Sequence, residues 1–237
     1  MPRLKLTVLS LRYSSWSMRP WLALTHAGAT FDTETVRLPH MLGKGGSTPL
    51  ADRRKLGSVR GLFPVLQIDG IPVHESLAIC ESVADLFPEA RLWPEDTPSR
   101  AQARAISCEM LSGFANMRNE LACHLFARVP DFTPSADTQV DISRIFELWQ
   151  ECLDRSGGPF LFGRFCIADA MYYPVLTRFR TYGIPLKEAV SSYAHALETL
   201  PAVQKLIATA GKAPPTPVYD DYILELGGNP DAVMPAA

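Results

Sequence analysis

The chain has 237 residues, of which 47% are hydrophobic and 20% charged, and it carries a formal net charge of -2. That length is enough for two domains with a core each, and that balance belongs to a folded globular protein rather than a disordered or fibrous one. Lysines and arginines are scattered among acids and no apolar run approaches a bilayer span, which argues against nucleic-acid and membrane partners.

Residues 4 to 10 alternate and are rich in β-formers, which predicts a strand rather than the core of a signal peptide, so a cytoplasmic location is expected. From Ser17 to Ala27 the spacing of Met18, Trp21, Leu22 and Leu24 predicts a helix, with Pro20 in its first turn and Gly28 as its stop. Phe31 to Leu38 alternates again, completing a βαβ unit. The stretch from Pro39 to Arg60, with four glycines and two prolines, reads as a long loop with a helical turn around Leu50 to Leu56; loops of that length are usually functional. A hairpin turning at Asp69-Gly70 follows, then a helix through Leu77, Cys80, Val83, Ala84 and Phe87 that ends at Pro88.

Pro88, Pro94 and Pro98 mark a polar linker, so residues 1–88 form a first α/β domain, 89–99 the linker and 100–237 a second domain. Beyond it strand signals vanish and helical periodicity predicts helices at 100–126, 137–155, 167–182 and 198–210. The tail from Ala213 has no regular pattern and is expected to be draped on the bundle or partly disordered. Five cysteines without a C-x-x-C pair argue against disulfides, a dithiol centre and a zinc site; they read as small buried hydrophobes, and no metal is expected.

Three features carry chemistry. Arg12-Tyr13-Ser14-Ser15-Trp16-Ser17 places hydroxyls at a helix N-terminus, where unpaired N–H groups and the helix dipole favour an anion, although any single serine before a helix is more often a plain N-cap than catalytic. Pro64 precedes a strand inside a sheet, where proline is confined to an edge, a bulge or a cis peptide. Glu75-Ser76 opens a second helix, as an anion-facing pair or as a cap.

In this order, and followed by an all-helical half, the three resemble the glutathione S-transferase family over nearly the whole chain. The resemblance implies a thioredoxin-like N-terminal domain followed by a C-terminal helical bundle. Ser14-Ser15-Trp16-Ser17-Met18-Arg19 is similar to the zeta-class signature Ser-Ser-x-Ser-x-Arg of a serine-type enzyme. Carried over, the resemblance makes Ser14 the residue facing the glutathione sulfur, with Ser15 as second candidate. It makes Pro64 a cis-proline, gives the backbone of Phe63 to the cysteinyl part, Glu75 and Ser76 to the γ-glutamyl end, and His40 or Lys44 to the glycyl carboxylate. The implied activity is a glutathione transferase with glutathione as co-substrate, acting on a small hydrophobic electrophile in detoxification, as a homodimer. Trp16 stands where the zeta signature has cysteine, which weakens the expectation of maleylacetoacetate isomerase activity. Cys166 replaces the usual hydroxyl of the family's second-domain capping box, with Asp169 retained.

Serine can serve as a hydrogen-bond donor here. Lowering a thiol pKa from about 8.5 by about two units asks for roughly 2.7 kcal/mol in favour of the thiolate. A helix dipole supplies about 0.3–1 kcal/mol, up to about 2 when partly buried, and a hydroxyl bonded to a charged acceptor adds about 1.5–3. The second substrate is expected between the domains, lined by Trp16 and by Leu111 and Arg118 from a stripe that also holds Arg104, Cys108 and Ala115, though such a stripe can also be core. Arg178, Arg180 and Tyr182 are read as inter-helix pairing residues. Alternatives are a non-catalytic glutathione- or protein-binding module of the same fold, a glutathione-dependent isomerase of the maleylacetoacetate type, and a cysteine-based reductase, for which the region from Met1 to Ile79 has no cysteine.

Overall fold

A computed structural model describes residues 1–38, 41, 48–55 and 57–235. Strand β1 (Leu4–Val8) carries Leu4, Leu6 and Val8 and is buried on both faces because it is a central strand. Helix α1 (Ser15–His26) leads to β2 (Asp32–Thr35), which pairs in parallel with β1. All four β2 residues are exposed, as suits an edge strand, and the strand is shorter than the alternation from Phe31 to Leu38 suggests. Helix α2 (Leu50–Lys55) is the predicted turn in the long loop.

Strands β3 (Val65–Ile68) and β4 (Ile71–Val73) complete a sheet of order β2-β1-β3-β4, with β3 antiparallel to both neighbours and Leu66 opposite Leu6. Asp69 (φ 50°) and Gly70 (φ 85°) supply the two left-handed residues that a tight hairpin needs, as the Asp-Gly pair predicts. Helix α3 (Ser76–Leu86) closes this thioredoxin-like unit by packing on α1.

Helices α4 (Thr97–Ser112), α5 (Ala115–Glu120), α6 (Ala136–Ser156), α7 (Ile167–Thr181), α8 (Glu188–Thr199), α9 (Pro201–Ala210) and α10 (Pro217–Glu225) form the helical half. Every residue of α7 except Arg180 is buried, so α7 is the bundle's central helix; α1 packs against both α7 and α9, which seats the first helix of the sheet unit on the bundle. Trp149 of α6 anchors the core, its ring 5.8 Å from that of Tyr172 and 5.6 Å from those of Phe179 and Tyr193. The replaced capping residue still works in part: Asp169 accepts from the backbone N–H of Cys166 (2.8 Å) and of Leu161 (3.1 Å), and burial pushes its carboxyl up to about 6.

Four expectations are corrected. The helix from 100 to 126 is two helices, because Gly113 is extended and Phe114 is left-handed (φ 59°), and residues 121–126 are not helical; the apolar periodicity runs on since burial, which it reports, continues past the break. The helix from 198 to 210 is α8 and α9, with Pro201 opening α9 where its missing N–H is harmless, and the stretch from Glu188 had gone unread. Pro20 lies inside α1 rather than in its first turn, since the helix starts at Ser15. The tail contains α10, held by the buried Ile223 and Thr216. Of the cysteines, Cys80, Cys123, Cys152 and Cys166 are buried and Cys108 is exposed, so only the first four match the reading as core residues.

Candidate functional site

Ser14 is the N-cap of α1. Its Oγ accepts from the backbone N–H of Ser17 (3.3 Å) and from the Ser17 hydroxyl (3.0 Å), so its own proton has no acceptor among the described residues. Ser17 is itself held by the backbone N–H of Leu9, which donates to its Oγ at 3.4 Å. Ser15 begins the helix, is buried, and accepts at 3.5 Å from the guanidinium of Arg178. Tyr13 is buried away from these: its hydroxyl donates to Asp220 at 2.9 Å, and burial pushes that hydroxyl's pKa up, so it stays protonated.

A cavity of about 560 Å³ opens beside this helix end, lined by Trp16, Arg60, Leu62, Phe63, Pro64, His74, Glu75, Ser76 and Leu111. That volume lies within the roughly 300–1,000 Å³ of small-molecule sites. Six of the sequence-predicted residues, Trp16, Phe63, Pro64, Glu75, Ser76 and Leu111, therefore share one wall system. The Phe63–Pro64 peptide is cis, as is His74–Glu75. Glu75 caps α3 by accepting from Leu77 N–H at 3.2 Å, while the hydroxyl of buried Ser76 reaches it at 3.4 Å. Ser14 and Ser15 stand at the same helix end as Trp16 without lining the cavity themselves. His40 and Lys44 lie outside the described residues.

Arg60, Leu62 and His74 were not singled out from the sequence. His74 immediately precedes Glu75, which was the available signal; both its ring nitrogens are buried without a partner, and burial, then the charge of Arg60, lowers its pKa, so it is neutral at pH 7. Arg118 does not line the cavity but stands behind its wall, with its guanidinium 5.0 Å from the Trp16 ring centroid and one N–H on the carbonyl of Met110. The stripe that included it is divided by the break at Gly113. Cys108 and Ala115 are exposed, and Arg104 pairs instead with Glu81 of α3 at 2.9 Å.

The largest surprise is cationic. Arg19, 1% exposed, places its guanidinium 4.5 Å from the Trp16 ring centroid on the α1 side, and it donates to the carbonyl of Met171 at 3.2 Å. Arg178 donates to the carbonyls of Arg118 and Leu121. No ion pair joins Arg19, Arg118 or Arg178 to a carboxylate among the described residues; Asp141, whose charge reaches Arg118, is engaged by the backbone N–H of Met117. Arg19 Nη1 and Arg118 Nε are buried without partners, and burial, then the charges of Arg118 and Arg178, push Arg19 down to about 9. Stacked on an indole and short of counter-charge, such a group is suited to an anion. Of the three residues read as inter-helix pairing, Arg180 ion-pairs with Glu198 of α8 and Arg178 joins α7 to Ser15 of α1 and to the carbonyl of Arg118 on α5, whereas Tyr182 donates to the carbonyl of Ala122 outside any helix.

Among the described residues no cluster of His, Cys, Asp or Glu could hold a metal ion, and no helix is long and apolar enough to cross a membrane. Residues 13–86 match a family model described as the glutathione S-transferase N-terminal domain, and residues 135–208 one described as the C-terminal domain. The chain is 27% identical over 207 residues to a maleylacetoacetate isomerase of Rattus norvegicus, covering 86% of this chain and 92% of that one. It is 26% identical to a maleylacetoacetate isomerase of Dictyostelium discoideum, covering 71% and 74%. Among solved structures, a Burkholderia glutathione transferase homologue with bound glutathione superposes with a TM-score of 0.67 at 22% identity, covering 90% of this chain and all of that one (100%). The theta-class glutathione S-transferase of Xanthomonas axonopodis pv. citri, also with glutathione bound, gives 0.62 at 22% identity, covering 86% and 97%.

Proposed function

The chain belongs to the glutathione S-transferase family, and from that premise we propose that it binds glutathione in the cavity beside α1 and stabilises its thiolate with the hydroxyl of Ser14 for attack on a small electrophile. The observation that carries this reading is the state of Ser14: two hydrogen bonds arrive at its oxygen and none leaves it, at a helix N-terminus whose N–H groups favour negative charge. Ser15, turned to Arg178, is the weaker candidate.

In this scheme the backbone of Phe63 takes the cysteinyl segment, Glu75 and Ser76 the γ-glutamyl end, and the exposed Arg60 the glycyl carboxylate, with His40 or Lys44, outside the described residues, as the alternatives. Trp16 and Leu111 form the side open to an apolar second substrate. The reading divides the chain into a glutathione domain at 1–88, a linker at 89–99 and a substrate domain at 100–237, and makes the protein a cytoplasmic homodimer. Calorimetry with glutathione followed by conjugation of a generic aromatic electrophile tests it. Binding without turnover of several electrophiles would favour the non-catalytic module.

A second reading, isomerisation of the maleylacetoacetate type, is supported by Arg19 and Arg118 against the Trp16 ring and by Arg178 on the neighbouring Ser15. Three guanidinium groups short of counter-charge suit a carboxylate-bearing electrophile better than a neutral one. Both readings share the thiolate. They part at the second substrate, where kcat/KM for a carboxylate-bearing and a neutral electrophile separates them.

A further inference from the structure

The two residues before Ser14 are both gripped by the end of the chain. Arg12, 2% exposed, donates from Nη2 to Asp231 (2.5 Å) and to the carbonyl of Pro230 (3.2 Å), and lies 3.8 Å from Asp220. Tyr13 donates its hydroxyl to Asp220 at 2.9 Å and accepts from the backbone N–H of Thr216 at 3.2 Å, while its ring stacks on Tyr219 with centroids 5.3 Å apart. Asp220 is shared: His124 Nε2 lies 2.9 Å from the same carboxylate oxygen, and the His124 ring meets Tyr13 edge-on at 4.7 Å. Farther along, Asn229 and Arg128 exchange backbone hydrogen bonds of 2.8 and 3.0 Å, and the N–H of Val233 donates to the carbonyl of Phe126 at 3.1 Å.

From this geometry we propose that α10 and the residues after it are a strap that fixes the turn carrying Ser14, and that Asp220, acting through Tyr13, is a positioning residue for the thiol-activating hydroxyl. The proposal rests on the role assigned above to Ser14. Residues 9–14 link β1 to α1 without regular structure; their backbone is tied by Ser14 N–H to the carbonyl of Ser10 (3.2 Å) and by Leu125 N–H to the carbonyl of Arg12 (3.0 Å), but among the described residues the side chains of Arg12 and Tyr13 find their acceptors only at positions 220 to 231. A hydroxyl that must meet a sulfur within about 0.5 Å of its productive position needs that backbone held. A buried arginine and a buried tyrosine hydroxyl do so only while their partners are present, because each is costly to leave unpaired. Those partners come from residues 216 to 231, so the first domain's turn is completed by the last residues of the second.

Three variants test this: Tyr13→Phe, Asp220→Ala, and Asp220→Asn, which keeps an acceptor for the Tyr13 hydroxyl. Two measurements are made on the full chain: steady-state kinetics with the titration of bound glutathione, and amide hydrogen exchange without ligand. Tyr13→Phe and Asp220→Ala are expected to lower kcat about tenfold and raise the pH at which bound glutathione ionises, with its KM within about twofold. Exchange should quicken about tenfold at the amides of Ser14 to Met18 and not in α6 or α7, and Asp220→Asn should restore most of each effect. Unchanged exchange at Ser14 to Met18, exchange raised equally throughout the bundle, or kcat falling only with the folded fraction overturns the proposal. If the unsubstituted chain takes up no glutathione, the catalytic reading fails by itself, while the exchange measurement still decides whether Asp220 orders the turn.

Discussion

Replacing Ser14 with alanine removes two things that different instruments read separately. The first is the cap: the oxygen that accepts from Ser17 N–H at 3.3 Å disappears, which costs about 0.5–2 kcal/mol of stability and lowers Tm by a few degrees, at about 2–4 °C per kcal/mol for a chain of this size. The second, on the function proposed above, is the donor to the thiolate. A hydroxyl bonded to a charged acceptor contributes about 1.5–3 kcal/mol, and since one pKa unit is about 1.36 kcal/mol, bound glutathione should ionise roughly one to two units higher in Ser14→Ala. The thiolate absorbance of the bound tripeptide, followed against pH, measures that shift directly, while calorimetry should find its affinity nearly unchanged. Ser17→Ala is the graded control, because it removes the 3.0 Å bond that Ser14 receives but leaves the Ser14 hydroxyl, so a smaller rise is expected. A thiol that titrates alike in the parent and in Ser14→Ala, despite the expected loss of Tm, would refute the assignment; a shift in Ser15→Ala alone would transfer the role to Ser15.

Glu75→Gln keeps the acceptor that caps α3 at 3.2 Å and removes only the charge, so glutathione should bind about tenfold more weakly by calorimetry with Tm unchanged. Arg118→Met should lower kcat/KM for a carboxylate-bearing electrophile about tenfold and for a neutral aromatic one less than about twofold; equal losses would speak against an anionic substrate. Asp169 reverses the usual acid behaviour. Its folded carboxyl is pushed by burial to about 6 from an ordinary 3.8, so the folded chain binds the extra proton between those values. Its contribution is therefore full below about pH 4 and is lost as pH rises through about 6, and denaturant unfolding across that range should show a decline that Asp169→Asn removes.

Much of this molecule could be read in one dimension because the signals were local. The β1–α1 turn, the Asp69-Gly70 hairpin, the Glu75 cap and the central helix at 167–182 each follow from residues within a few positions of one another, where backbone sterics and hydrogen-bond supply decide. Those same signals, in order, were enough to point to the family, and the fold gathers Phe63, Pro64, Glu75 and Ser76 of the residues they singled out in one cavity wall. What failed failed for a physical reason. Periodicity reports burial rather than continuity, so it ran through the left-handed Phe114 and across the break at Leu200 ahead of Pro201, while most of α8 went unread.

The chain's own order of residues thus determined which hydroxyls and carboxylates stand at which helix end. Only folding decided their company. It set Arg19 and Arg118 against one indole from two separate helices, turned Arg178 of a third to Ser15, and brought Asp220 and Asp231 back across more than 200 positions to Arg12 and Tyr13. Charges and hydroxyls buried at such separations leave no pattern in sequence, because they are selected by desolvation in three dimensions: a guanidinium removed from water must find its acceptors wherever the fold happens to place them.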